Sequence, residues 1–172
     1  VLIVGGGCRG RELARELVGE GHAVRITTRT EAGRAAIEEA GGECWVGTPD
    51  RLATLRGSLE NVTVACWLLA SASGPPEELE ALHTTRLEFF LSQVIDTTVR
   101  GFVFEVPLTA ITGDLESRGE GIVRAVTERN EIPFRCLTAE LAERDGWLRA
   151  AHDQIASLLG APPRTGLIDR SI

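Results

Sequence analysis

The chain has 172 residues and a formal charge of −7, from 18 basic and 25 acidic side chains. Every basic residue is Arg, and neither Lys, Tyr nor Met occurs, so this chain supplies no Schiff-base lysine, no P-loop lysine and no catalytic tyrosine. A net acidic, Lys-free surface makes a poor binder of nucleic acid or of an anionic membrane, because both depend on phosphates being neutralised.

At 43% hydrophobic and 25% charged the composition is that of an ordinary folded protein. The length suits one domain, expected over residues 1–160 and followed by a tail at 161–172. Val1–Val4 is a continuous apolar run, as expected of a strand buried on both faces. A glycine-rich turn leads into a helix from about Arg9 to Glu20, where Leu13, Ala14, Leu17 and Val18 recur at helical spacing and Gly21 ends the run. Ala23–Thr28 reads as the second strand. The next helix, about Glu31 to Ala40, places Ala32, Ala35, Ala36 and Ala40 on one side. Glu43–Gly47 is a short third strand, and Thr48-Pro49-Asp50 opens a short helix carrying Leu52 and Leu55.

Val62–Ala70 is the strongest strand and belongs at the sheet centre. The apolar run around it, Val62 to Ala72, is about half of the ~20 residues that a membrane-spanning helix needs. From about Pro76 one long helix is expected to reach Val94, burying Leu79, Leu82, Phe89 and Phe90. Gly101–Val106 is the fifth strand, about Gly119 to Asn130 a helix, and Pro133–Leu137 the sixth strand. A last helix, about Trp147 to Leu159, carries Leu148, Ala151, Ile155 and Leu158. Strands alternating with helices require an α/β, doubly wound, mostly parallel sheet, because each crossover returns the chain right-handed. The expected strand order is 3-2-1-4-5-6 with helices on both faces, a Rossmann domain.

Gly5-Gly6-Gly7-Cys8-Arg9-Gly10 reads G-x-G-x-x-G, directly after a strand and at the opening of an amphipathic helix. Gly5 would allow the tight turn, Gly7 the approach of backbone to a diphosphate, and Gly10 close helix–strand packing. A diphosphate would then rest on the unpaired N–H groups and positive dipole of the helix start, beside Cys8 and Arg9. At the end of the second strand, an NAD site usually carries an acid for the ribose 2′-hydroxyl. Thr28 stands there instead, followed by Arg29, Thr30 and Arg34. Hydroxyl and guanidinium groups donate to a 2′-phosphate, which favours NADP(H) over NAD(H). Glu31 is expected to serve the helix dipole. Gly47-Thr48-Pro49-Asp50, at the end of the third strand, would lie near adenine. Ser71 and Ser73, after the fourth, would pass under the ribose and nicotinamide side, or else cap the following helix.

Glu105, at the end of the fifth strand, is either a crevice-facing acid or a carboxylate that caps a helix or pairs with an arginine. His22, His83 and His152 show no metal-site spacing and read as surface or hydrogen-bonded residues. Cys8, Cys44, Cys66 and Cys136 form no C-x-x-C pair and read as reduced, mostly buried thiols, which points to the cytoplasm. The opening strand follows no basic stretch, so no signal peptide is expected.

The stretches VLIVGGGCRGRELARELVGEGHAVRITTRT, GGECWVGTPDRLATL, ENVTVACWLLASASG and GIVRAVTERNEIPFRCL together resemble short-chain dehydrogenase/reductase-like proteins, in particular the extended atypical and NmrA-like branch. The resemblance implies a Rossmann fold and an NAD(P) cofactor, with Arg29 as its NADP-favouring arginine. Two departures stand out. The glycine loop is one residue shorter than the G-x-x-G-x-x-G common in that family. The family's catalytic Tyr-x-x-x-Lys is absent, and the stretch that should carry it, Thr109 to Ile122, offers Thr112, Asp114, Glu116, Ser117 and Arg118 instead. The expected activity is therefore that of a non-catalytic dinucleotide sensor or binding subunit. The alternative is an atypical NAD(P)H-dependent oxidoreductase acting on a small flavin, quinone or carbonyl acceptor. No metal, nucleic-acid or membrane partner is expected, and self-association is left open.

Overall fold

The computed structural model describes residues 1–5, 7–107, 114–138 and 143–160. Six strands, β1 (Leu2–Val4), β2 (Arg25–Thr28), β3 (Glu43–Val46), β4 (Val64–Trp67), β5 (Gly101–Glu105) and β6 (Phe134–Leu137), form one sheet in the order β3-β2-β1-β4-β5-β6. All five neighbouring pairs are parallel. The connections carry helices α1 (Cys8–Gly19), α2 (Arg34–Glu39), α3 (Pro76–His83), α4 (Thr85–Val94) and α5 (Leu115–Arg129), and α6 (Arg144–Leu159) follows β6.

Side chains of a strand alternate between its two faces, so a sheet covered on both sides reads as an unbroken apolar run. Leu2, Val4, Ala65, Trp67, Phe102 and Phe104 face one way, onto Leu87, Phe90 and Leu91 of α4 and Val123 of α5. Ile3, Val64, Cys66 and Val103 face the other way, onto Leu13 and Leu17 of α1 and Trp147 and Ile155 of α6. Burying each such side chain contributes about 1.5–3 kcal/mol. These two clusters, rather than local propensity, hold the short helices in place.

Several expected elements differ in detail. The long helix after Pro76 is two helices, broken at Thr84, whose φ of −127° and ψ of −92° are not helical. The Thr84 hydroxyl donates to the Glu80 carbonyl at 2.6 Å, so a side chain finishes α3. The new direction of α4 turns Leu87, Phe90, Leu91 and Val94 inward and leaves Phe89 51% exposed. The helix expected from Glu31 begins as a 3-10 turn, Glu31–Gly33. The phase is thereby reset, so that Ile37 and Ala40 are buried while Ala32 and Ala35 are exposed. After Asp50 there are two 3-10 turns, Leu52–Thr54 and Arg56–Leu59. β4 is shorter than the apolar run because the chain leaves the sheet after Leu68, whose N–H still donates to the Val4 carbonyl at 2.9 Å. Of the four unpaired cysteines only Cys66 is fully buried; Cys44 and Cys136 are half-buried and Cys8 is exposed. Gly6, Thr109, Thr112 and the 161–172 tail lie outside the described residues.

Candidate functional site

The glycine loop joins β1 to α1 at the carboxyl edge of the sheet. Gly5 has a φ of +118°, and a Cβ there would stand 2.1 Å from the Leu68 carbonyl oxygen. Its N–H donates to the Thr27 hydroxyl on β2 at 3.3 Å, so the turn is tied to both neighbouring strands. A Cβ on Gly10 would stand 2.6 Å from the Gly5 carbonyl, which is why α1 can start directly against β1. At Gly7 a Cβ would meet nothing within 4 Å. Gly7 is also the N-cap of α1, and no side chain caps that helix. Two glycines are thus required by the protein's own packing, while the third faces open space where α1 presents its first N–H groups.

That open space is a cleft of about 360 Å³. Gly5 and residues 7–10 line it, with Thr28 and Arg29 at the end of β2, Pro49 and Asp50 after β3, and Leu68, Leu69 and residues 71–74 after β4. Leu79 and Leu82 of α3, Arg86 of α4 and Trp147 of α6 complete its walls.

Of the residues singled out from sequence, Gly5, Gly7, Cys8, Arg9, Gly10, Thr28, Arg29, Ser71 and Ser73 line this cleft together. Thr30, Arg34 and Thr48 do not. Arg34 is engaged by Glu31 and Glu38 on the surface, and its hydrogen bond holds the Glu31 carboxyl below its ordinary range. Glu31 therefore serves Arg34 through its side chain. Thr48 is buried, with its hydroxyl donating to Asp50 Oδ2 at 3.1 Å. Ser71 and Ser73 do not cap α3, whose N-cap is Pro75 with no side-chain hydrogen bond.

Glu105 lies beneath the cleft, 1% exposed. Its Oε2 accepts from the Ala70 N–H at 2.9 Å and its Oε1 from the Trp147 indole N–H at 2.7 Å. Arg9 Nη2 is 3.7 Å from Oε1, and the guanidinium carbon lies 4.6 Å from the Trp147 ring centre. Burial pushes the Glu105 carboxyl up, against the Ala70 and Trp147 hydrogen bonds and the Arg9 charge, which favour ionisation. At the other end of the cleft Arg86 pairs with Asp50 at 2.7 Å. Arg86 and Trp147 come from helices far along the chain, and no local sequence pattern marks them as site residues; Asp50 ends the stretch after the third strand that is expected near adenine, and it lines the cleft.

Cys8 is exposed and accepts from Arg11 at 3.4 Å. His83 and His152 are both only 2% exposed. His152 Nε2 is hydrogen-bonded to Glu20 at 2.8 Å, but its Nδ1 is buried without a hydrogen-bond partner, so the satisfied histidine expected from the sequence is satisfied on one side alone. His83 is neither on the surface nor satisfied at Nδ1, and burial pushes it down to about 4. No group of three metal-ligating side chains occurs among the described residues, nor any helix long and apolar enough to cross a membrane.

A parallel sheet in this order, with a glycine loop opening α1 under a cleft at the carboxyl edge, defines the doubly wound Rossmann class of fold. The solved structures that it resembles bear this out. A short-chain dehydrogenase/reductase superfamily protein from Agrobacterium tumefaciens with bound NAD matches 78% of this chain and 47% of its own, with a TM-score of 0.65 and 21% identity. The triphenylmethane reductase of Citrobacter sp. complexed with NADP(H) matches 81% of this chain and 49% of its own, with a TM-score of 0.63 and 13% identity. The fold is therefore the Rossmann fold, shared with these proteins. By sequence, an uncharacterized protein of Schizosaccharomyces pombe is 26% identical over 154 residues, which is 90% of this chain and 50% of that protein. The chain thus spans about half the length of each of these relatives. No family model matches it.

Proposed function

We propose that the chain is an atypical short-chain dehydrogenase/reductase-like domain that binds a nicotinamide dinucleotide, NADP(H) in preference to NAD(H), as a sensor or binding subunit. The observation that carries this reading is the steric contrast within the glycine loop. Gly5 and Gly10 are filled by the protein itself, while the position facing the helix N-terminus is open. The bound NAD and NADP(H) of the two solved structures support the cofactor class.

Gly7, Cys8, Arg9 and Gly10 would hold the diphosphate, Ser71 and Ser73 the nicotinamide side, and Thr28 and Arg29 the 2′-phosphate. Arg29 lines the cleft and is exposed, and no carboxylate stands beside it on β2 to repel a phosphate. Thr30, Arg34 and Thr48 are assigned no contact, since their side chains are engaged elsewhere or lie off the cleft. The absence of Tyr and Lys from these 172 residues supports binding without the family's proton-transfer pair. The unpaired cysteines fit a reducing compartment such as the cytoplasm.

A second reading is an NAD(P)H-dependent oxidoreductase for a small flavin, quinone or carbonyl acceptor. Leu68, Leu69, Leu79 and Leu82 favour it, because they give the cleft an apolar wall on which such an acceptor could lie. The bound nicotinamide would then supply the hydride. Incubating the protein with NADPH and a series of flavins, quinones and aldehydes, and following NADPH absorbance, separates the two. Binding without turnover is the expected result, and steady oxidation with any acceptor would overturn the sensor reading.

A further inference from the structure

Three residues distant in sequence meet under the glycine loop: Arg9 at the start of α1, Glu105 at the end of β5 and Trp147 in the first turn of α6. Both oxygens of Glu105 are used, one by the Ala70 N–H and one by the Trp147 indole. Arg9 lies over the indole ring, but its Nη2 is 3.7 Å from the carboxylate, too far for a hydrogen bond. Its Nη1 is buried without a partner. As a device for stability this arrangement is incomplete. A buried ion pair offsets its desolvation only when the geometry is close and the remaining donors are satisfied. Arg9 meets neither condition within the protein, and it stands three residues after Gly6 on the wall of the proposed diphosphate site. A bound diphosphate would give Nη1 the acceptor it lacks.

We propose that Glu105 is the positioning residue for the diphosphate end of the cleft. Through the indole of Trp147 and through its own charge it holds the Arg9 guanidinium flat, with Nη1 kept for the dinucleotide. Through Ala70 it fixes the loop after β4 at the same end. Glu105 itself touches no ligand, and its effect on binding passes through Arg9. This inference rests on the dinucleotide reading above.

The test is a double-mutant cycle over Arg9→Leu and Glu105→Gln, read as affinity for NADPH and for adenosine 2′-monophosphate, which carries neither phosphate of the diphosphate. Each single variant is expected to weaken NADPH about tenfold, equivalent to about 1.4 kcal/mol, and to leave the monophosphate within about twofold. In the Arg9→Leu background Glu105→Gln should add no further loss, because the group it positions is gone. Additive losses, or equal losses for both ligands, would show that Glu105 acts through general stability and overturn the proposal. Trp147→Phe keeps an aromatic ring beneath Arg9 while removing the indole N–H and part of the buried ring volume. If Glu105→Gln fails to fold, Trp147→Phe takes its place in the cycle, with a loss of about threefold expected that disappears beside Arg9→Leu. Wild-type protein that binds neither ligand would sink the dinucleotide reading and this inference with it. NADPH binding unaffected by Glu105→Gln would sink the inference alone.

Discussion

The two ends of the cleft each carry an arginine–carboxylate pair, and distance ranks them in the wrong order. At the outer end Arg86 and Asp50 are 2.7 Å apart with side chains 25% and 48% exposed. At the inner end Arg9 and Glu105 are 3.7 Å apart, but the carboxylate is only 2% exposed. Water competes for the outer pair, so a contact of that kind contributes about 0–1 kcal/mol. Water does not reach the inner carboxylate, so losing a partner of Glu105 has the larger consequence although the contact is longer. In this protein burial, more than contact length, decides which polar residues matter.

The largest effect is expected in the glycine loop between the two ends. Gly5→Ala forces a side chain into a φ of +118° and against the Leu68 carbonyl. It should destabilise the protein by more than about 3 kcal/mol in urea unfolding. Gly7→Val meets open space, so it should change stability by less than about 1 kcal/mol while abolishing dinucleotide binding. Equal effects of the two changes on stability would mean that the loop is purely structural.

That contrast was legible in the sequence only as a motif. G-x-G-x-x-G after an apolar strand located the turn, and the strand–helix alternation implied a parallel doubly wound sheet, whose order followed from the Rossmann pattern rather than from the alternation itself. The pattern also assigns Gly10 to packing and Gly7 to a ligand, but it could not say that the Leu68 carbonyl, just beyond β4, is what excludes a side chain at Gly5. The break at Thr84 was missed as well, since His83-Thr84-Thr85 contains no Gly or Pro and the apolar spacing runs through it. The alanines of the second helix suggested a face, but the 3-10 turn at Glu31–Gly33 shifted the phase onto Ile37. Glu105 was noticed, but its meeting with Trp147 spans 42 residues, and no local signal reaches that far.

Burial outside the cleft offers a second way to sharpen the comparison. His83 is pushed from its ordinary 6.5 down to about 4 by burial, so the unfolded chain binds its proton first as pH falls. Stability should therefore be full above about pH 6.5 and should drop by about 3 kcal/mol on acidification to about pH 4. His83→Leu should flatten that slope in denaturant unfolding at several pH values, and an unchanged slope would contradict it. Glu105 works with the opposite sign. Its carboxyl is raised above the ordinary 4.5, so the folded state holds that proton longer and its contribution falls as pH rises from there.

Smaller effects belong to the exposed end. Arg29→Ala should weaken NADPH about tenfold, the loss of a charge-assisted contact to the 2′-phosphate, and leave NADH unchanged. Equal losses for both would remove Arg29 from the 2′-phosphate. Arg86→Ala should cost less than about 1 kcal/mol of stability, and a larger loss would mean that the outer pair is less screened than its exposure indicates.

The most direct test of the account is calorimetric titration of the wild-type protein with NADPH and with NADH, side by side. The account predicts one site per chain and an affinity for NADPH at least about tenfold above that for NADH. Tighter binding of NADH would contradict the role given to Thr28 and Arg29. No heat from either would contradict the dinucleotide reading itself.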